Sequence, residues 1–132
     1  MDNYEIVIKN VPPEKYYEAC ITYHLVNEFK ERFNIKLYPF SISQIEEYNE
    51  GYDFGYRFSS KSFVIQYKRP NANNQENYYW KINREQLDKL CANNKFKSYY
   101  ALPAFTGTDK WFKGFEECFF VDSVKLQNYL KK

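Results

Sequence analysis

Asp53, Gln66 and Lys68 are the residues of this 132-residue chain whose types and spacing could do chemistry together. They stand in the stretch GYDFGYRFSSKSFVIQYKRP, residues 51–70, as an acid heading one apolar run and a Gln-Tyr-Lys triplet ending the next. Strand side chains alternate, so Tyr52, Phe54, Tyr56 and Phe58 share one face and leave Asp53, Gly55 and Arg57 on the other. The second run sorts likewise, with Phe63, Ile65 and Tyr67 facing one way and Val64, Gln66 and Lys68 the other. A hairpin loop centred on Ser60-Lys61 pairs residues whose numbers sum to 121. That register sets Asp53 opposite Lys68 and Gly55 opposite Gln66, where the missing glycine side chain leaves room for the amide. Directly opposed Cβ atoms lie about 4.5–5.5 Å apart, so acid, amide and amine converge on one patch. Taken alone, the pair is a cross-strand ion pair worth under about 1 kcal/mol.

The preceding segment adds carboxylates. Glu46 and Glu47 lie on an expected short helix, SQIEEYNE, capped by Ser41 or Ser43 and stopped by Gly51, which turns the chain straight into the strand. One of the two can hang over the same patch, and spacing to Gly51 favours Glu47. Two carboxylates, a side-chain amide oxygen and a backbone carbonyl form a hard, oxygen-rich site suited to Mg²⁺ or Mn²⁺, with Lys68 beside the ion. The single histidine, His24, sits on an apolar helix face and reads as a packed residue, which disfavours a Ser/His/Asp triad or a multi-histidine zinc site.

The pattern EEYNEGYD, a dozen residues, then IQYKR resembles the PD-(D/E)xK nuclease superfamily with its restriction-endonuclease-like fold. It is most similar to members whose last motif is QxK, such as the Mrr-type restriction endonucleases. The resemblance is firm over residues 44–69 and looser to about 105. Tyr52 stands where the signature has proline, and Gln66 replaces the usual acid, which lowers the charge of the metal site. The resemblance implies that Asp53 binds Mg²⁺ or Mn²⁺ with help from Glu47, the Gln66 side chain and the Tyr67 carbonyl. It implies that Lys68 orients or deprotonates the attacking water and stabilises charge developing on the phosphate. The expected activity is an endonuclease hydrolysing phosphodiester bonds of DNA; the alternative is a non-catalytic nucleic-acid-binding or assembly module keeping that fold. A specific double-strand cutter with two active sites would be a homodimer. Lys61, Arg69, Lys81 and Arg84 surround or follow the motif and are candidate phosphate contacts. Gln86 reads first as a helix cap and second as a site helper.

The positioning elements follow from periodicity and punctuation. Tyr17, Ile21, Leu25 and Phe29 recur every four residues and predict a helix over 14–33, started by Pro12-Pro13. YEIVIK (4–9) is an expected strand, FNIKLYPF an extended connector or strand, RPNANNQEN a polar loop and YYWKIN a further strand. Asn83 and Gln86 open a helix over 84–91, SYYALPAF is a buried strand ending at Pro103, and TGTDKWFKG is a turn-rich loop. FEECFFVD is the last strand, with Asp122 or Ser123 capping the closing helix. The order predicts an α/β (α+β) fold, a central mixed β-sheet flanked by helices, in a single domain over 1–132 with its motif core at about 41–105.

Composition sets the outer limits. Residues 1–60 hold 6 Lys and Arg against 10 Asp and Glu, and residues 61–132 hold 13 against 7, which fits a cation site beside a polyanion surface. Aromatics reach 21 %, but Asn, Lys and Ile are enriched with them, which reads as codon bias before base stacking. Three well-separated cysteines suggest neither a disulfide framework nor a zinc knuckle, and the absence of a leader-like or spanning apolar run suggests a cytoplasmic protein with no membrane partner.

Overall fold

A computed structural model of the chain describes residues 12–41, 54–72, 77–93 and 96–131. Helix α1 spans Glu14–Phe33, the range the four-residue apolar repeat predicts. It ends where Asn34 adopts a left-handed φ of 52°, with the Asn34 N–H donating to the Lys30 carbonyl and Ile35 N–H to that of Phe29.

The strands are β1 (Tyr38–Ser41), β2 (Phe54–Phe58), β3 (Lys61–Tyr67), β4 (Asn71–Ala72), β5 (Tyr78–Tyr79), β6 (Lys97–Pro103) and β7 (Cys118–Asp122). Helix α2 (Arg84–Ala92) precedes β6, a 3₁₀ turn covers Thr108–Lys113, and helix α3 (Ser123–Leu130) follows β7. Five strands form one sheet in the order β1-β2-β3-β6-β7. β3 and β6 run parallel and the other neighbours antiparallel, so the sheet is mixed as expected.

Each face of the sheet is covered by helices. Tyr56, Ile65, Tyr67 and Ala101 pack against Ile21 and Leu25 of α1. Val64 and Tyr100 pack against Leu87 and Leu90 of α2, with Leu126 of α3 beside them. The period-two division of β2 and β3 therefore holds where the structure describes it, with Phe54, Tyr56, Phe58, Phe63, Ile65 and Tyr67 on the α1 side and Val64 on the other. Asn83 caps α2, its Oδ1 accepting from the Gln86 N–H at 3.0 Å. The reciprocal half of that capping box is not made, since Gln86 Oε1 has no partner among the described residues. Asp122 caps α3 by accepting from the N–H groups of Val124 and Lys125 at 2.9 and 3.2 Å.

Three expectations need correction. The hairpin turn is Ser59-Ser60, not one centred on Ser60-Lys61, so Phe58 pairs with Lys61 and Gly55 with Val64 rather than Gln66. The tighter turn is reached by a left-handed Ser59, φ 54°. A two-residue shift leaves every side chain on its face, which is why alternation cannot detect it. The space at Gly55 is also not beside Gln66: a Cβ there would collide with the ring of Phe40 from β1. The polar stretch after β3 is not wholly loop, because Asn71–Ala72 pairs with Tyr78–Tyr79, to which the expected YYWKIN strand shrinks. The expected strand at 4–9 and the helix carrying Glu46 and Glu47 lie outside the described residues.

Candidate functional site

Gln66, Tyr67 and Lys68 stand at the carboxyl end of β3, the central strand of the sheet. Gln66 pairs with Tyr100 on the face covered by α2 and is 2 % exposed. Its Nε2 donates to the Tyr67 carbonyl at 3.5 Å. The Lys68 N–H donates to the Ala101 carbonyl at 3.2 Å, so the backbone keeps its alignment with β6 one residue past the strand, and the lysine side chain is half-buried.

Tyr67 points to the α1 face, where its hydroxyl meets that of Tyr56 in a short hydrogen bond. Tyr56 in turn bonds the Thr22 hydroxyl of α1 at 2.7 Å. Burial pushes the Tyr56 phenol up to about 12, against the opposing pull of its bonds to Thr22 and Tyr67, and the charge of Glu18 adds to the rise. Burial also raises Tyr67, reinforced by Tyr56. Both phenols are neutral at physiological pH. The chain of three hydroxyls ties the site end of β3 to β2 and α1.

Glu18 is a residue that reading by motif misses. It is a buried carboxylate, 9 % exposed, paired with the exposed Lys15 ammonium at 3.4 Å. The signal is its position: Glu18, Thr22, Leu25 and Phe29 follow the same 4-3-4 spacing as a buried helical stripe, and an acid there is more informative than an exposed leucine.

Topology gathers further groups at this end. Tyr17, in the first turns of α1, donates its hydroxyl to the Phe105 carbonyl just past β6 at 2.8 Å. Arg69 lies close enough for its charge to oppose the burial that raises the Tyr17 phenol. Because β3 and β6 are parallel, the helix between them must run back, which puts the start of α2 with Arg84, and Lys81 just before it, near the end of β3. Arg84 pairs with Asp88 of its own helix at 3.3 Å. Lys61 is not brought to this end; it borders the hairpin turn, about 23 Å from Lys68 along a strand rising some 3.3 Å per residue. Asp53 and Glu47, like Glu46, lie outside the described residues.

Other candidates resolve into structure. His24 Nε2 bonds the Trp111 carbonyl at 2.7 Å and Cys20 Sγ donates to the same oxygen at 3.3 Å, fixing the 3₁₀ turn on α1. Trp80 donates its indole N–H to the Pro103 carbonyl at 2.9 Å. Burial pushes Cys20 up to about 11 and Cys118 to about 12, which suits neither as a nucleophile near neutrality.

Gln66 and Tyr67 provide hard oxygen donors of the kind Mg²⁺ or Mn²⁺ accepts, and both are neutral, so an ion there needs added carboxylates. Among the described residues no three His, Cys, Asp or Glu side chains cluster as a metal site, and no helix is long and apolar enough to cross a membrane. Comparison with protein-family models, curated proteins and solved structures finds no match.

Proposed function

We propose that the chain is a divalent-metal-dependent nuclease acting on DNA, of the restriction-endonuclease-like kind, with its centre at the carboxyl end of β3. The observation that carries this reading is the buried amide of Gln66 held against the Tyr67 carbonyl, with Lys68 next along the chain, on the middle strand of a mixed sheet. Two further features support it. Phe54, the residue after Asp53 in the sequence, pairs with Ile65, the neighbour of Gln66 in β3. The positive ends of α1 and α2 also lie toward this end of the sheet, which favours a phosphate there.

In this mechanism Asp53, Glu47, Gln66 Oε1 and the Tyr67 carbonyl would hold Mg²⁺ or Mn²⁺, which when bound would supply Lewis-acid polarisation of a phosphoryl oxygen and a more acidic water. Lys68 orients the attacking water and places a positive charge against the charge that accumulates on phosphorus oxygens, a role a fixed ammonium performs without reorganisation. Arg69, Lys81 and Arg84 contact flanking phosphates and set position rather than sequence. Two such centres, in a homodimer, would cut both strands of a duplex.

The test is cleavage of plasmid and single-stranded DNA in Mg²⁺ or Mn²⁺. Asp53→Ala and Lys68→Ala should each lower the rate at least about 100-fold with the melting temperature kept. Cutting that survives both substitutions, or survives EDTA, rules the reading out. Gln66, a neutral amide where an acid would add charge, favours one second reading, a non-catalytic DNA-binding module. Binding that weakens steeply with salt while no metal supports cutting selects it.

A further inference from the structure

At the hairpin end of the sheet, beneath the carboxyl-terminal half of α1, lies a cavity of about 450 Å³, within the range of small-molecule sites. Its walls are the rings of Phe29, Phe58, Phe63, Tyr99, Phe115 and Phe120. Phe29 stacks on Phe63 at 6.1 Å and Phe115 leans on Phe120 at 5.7 Å, yet Phe120 remains 38 % exposed. The rings meet one another and line an open hollow that they do not fill.

Beyond these rings and the side chains of Leu25 and Ile65, the lining is polar. Lys61, Ser62 and Lys97 border the same cavity. Lys97 is committed to Asp122 of β7 at 2.7 Å, and that pair is neutral. Lys61 makes no ion pair with any described residue, and its side chain is exposed. The border thus carries two amines, one of them neutralised by Asp122 beyond it, which leaves a net single positive charge beside the apolar hollow. A fully apolar guest leaves Lys61 to water, whereas a guest with one carboxylate gains a charge-assisted contact there; a polyanion brings many charges to a border that offers one.

We propose that this cavity binds an apolar small molecule carrying one carboxylate, with its hydrocarbon body among the rings and its head group at Lys61. The site lies at the opposite end of β3 from Lys68 and is independent of the nuclease reading.

The test is titration of the full chain with decanoate, 1-decanol and decylamine below their aggregation limits, followed by calorimetry and by the aromatic NMR signals of Phe29, Phe63 and Phe120. Decanoate should bind one to one, shift those three signals, and bind about tenfold more tightly than decanol, the increment of one charge-assisted contact. Lys61→Ala, at an exposed position that leaves the fold intact, should erase the advantage over decanol and keep decanol binding. Equal binding of the three probes, an advantage that survives Lys61→Ala, shifts confined to other residues, or no binding at 1 mM decanoate each overturn the proposal. So does a dimer, seen by sedimentation, that must dissociate before decanoate enters, since a second copy would then be the occupant.

Discussion

At the carboxyl end of β3 the polar groups turn inward: Gln66 is buried, Glu18 is buried on the helix above, and the hydroxyls of Thr22, Tyr56 and Tyr67 form a chain through the core. At the hairpin end of the same strand Lys61 is exposed, the buried polar groups are the single hydroxyls of Ser98 and Ser123, and rings line an open hollow they do not fill. Burying an amide or a hydroxyl costs free energy unless hydrogen bonds replace water. The two ends differ in what they bury, an amide and a carboxylate beside linked hydroxyls at the first and isolated serine hydroxyls at the second, which is the contrast the proposed function builds on.

Paired lysine substitutions probe that contrast most severely. Lys68→Ala should remove at least about 100-fold of DNA-cleavage rate, as the loss of a group that stabilises transition-state charge does. Lys61→Ala, on the same strand, should change the rate less than about twofold, in keeping with an exposed cation far from the chemistry. Equal losses from the two would erase the distinction between the ends.

Tyr56→Phe tests the inward polar chain by stability. It leaves Thr22 and Tyr67 without their shared partner and should cost about 1–3 kcal/mol in urea denaturation. It should also flatten the alkaline limb of the stability curve. The folded phenol titrates at about 12 and the unfolded one near 10, so its contribution is complete below pH 10 and is lost as pH rises through 12. In wild type that group makes stability fall by about 1.4 kcal/mol per pH unit over this window, and the variant should lack that increment.

The two ends were also unequally legible in the sequence. The faces of β2 and β3 follow from alternation, and the bounds of α1 from a four-residue repeat, because each buries a continuous stripe. The register did not follow: SSKS contains no glycine or asparagine to mark the left-handed position, and both candidate turns keep the same faces. β4 and β5 are too short to carry a period. Sequence places Lys61 with Arg69, Lys81 and Arg84 because all surround or follow one motif, yet an extended strand separates its ends by its whole length. Gln66 and Lys68 are readable as residues, while the burial of Gln66, on the face where Val64 and Tyr100 pack against α2, comes from contacts between segments that spacing along the chain does not encode. Glu18 went unread because its chemistry appears only when the helix face is known.

Asp122 joins β7 to α3 near the hairpin end, where polar groups serve structure. Its carboxyl is held below the usual range, first by the hydrogen bond from Lys97 and then by the N–H groups of the cap. Asp122→Ala should cost about 1–2 kcal/mol through loss of the cap. A depressed pKa contributes stability above the unfolded value near 3.9 that is lost as pH falls through the folded one, so the gap between wild type and Asp122→Ala should close in acid. Asp122→Asn should keep the cap and lose the acid-dependent part. DNA cleavage should be unaffected by either, which separates stability at this end from chemistry at the other.

The smallest effect belongs to the turn itself. Ser59 holds a φ of 54°, a region in which an L side chain crowds its own carbonyl and glycine does not. Glycine also has more freedom to lose on folding, so the two terms oppose each other. The steric term, about 1–2 kcal/mol, exceeds the entropic one, and Ser59→Gly should raise stability by about 0.5–1 kcal/mol in urea melts. If the register instead paired residues summing to 121, Ser59 would sit inside the strand, where glycine destabilises by about the same amount. The sign of this one substitution therefore reports which turn closes the hairpin.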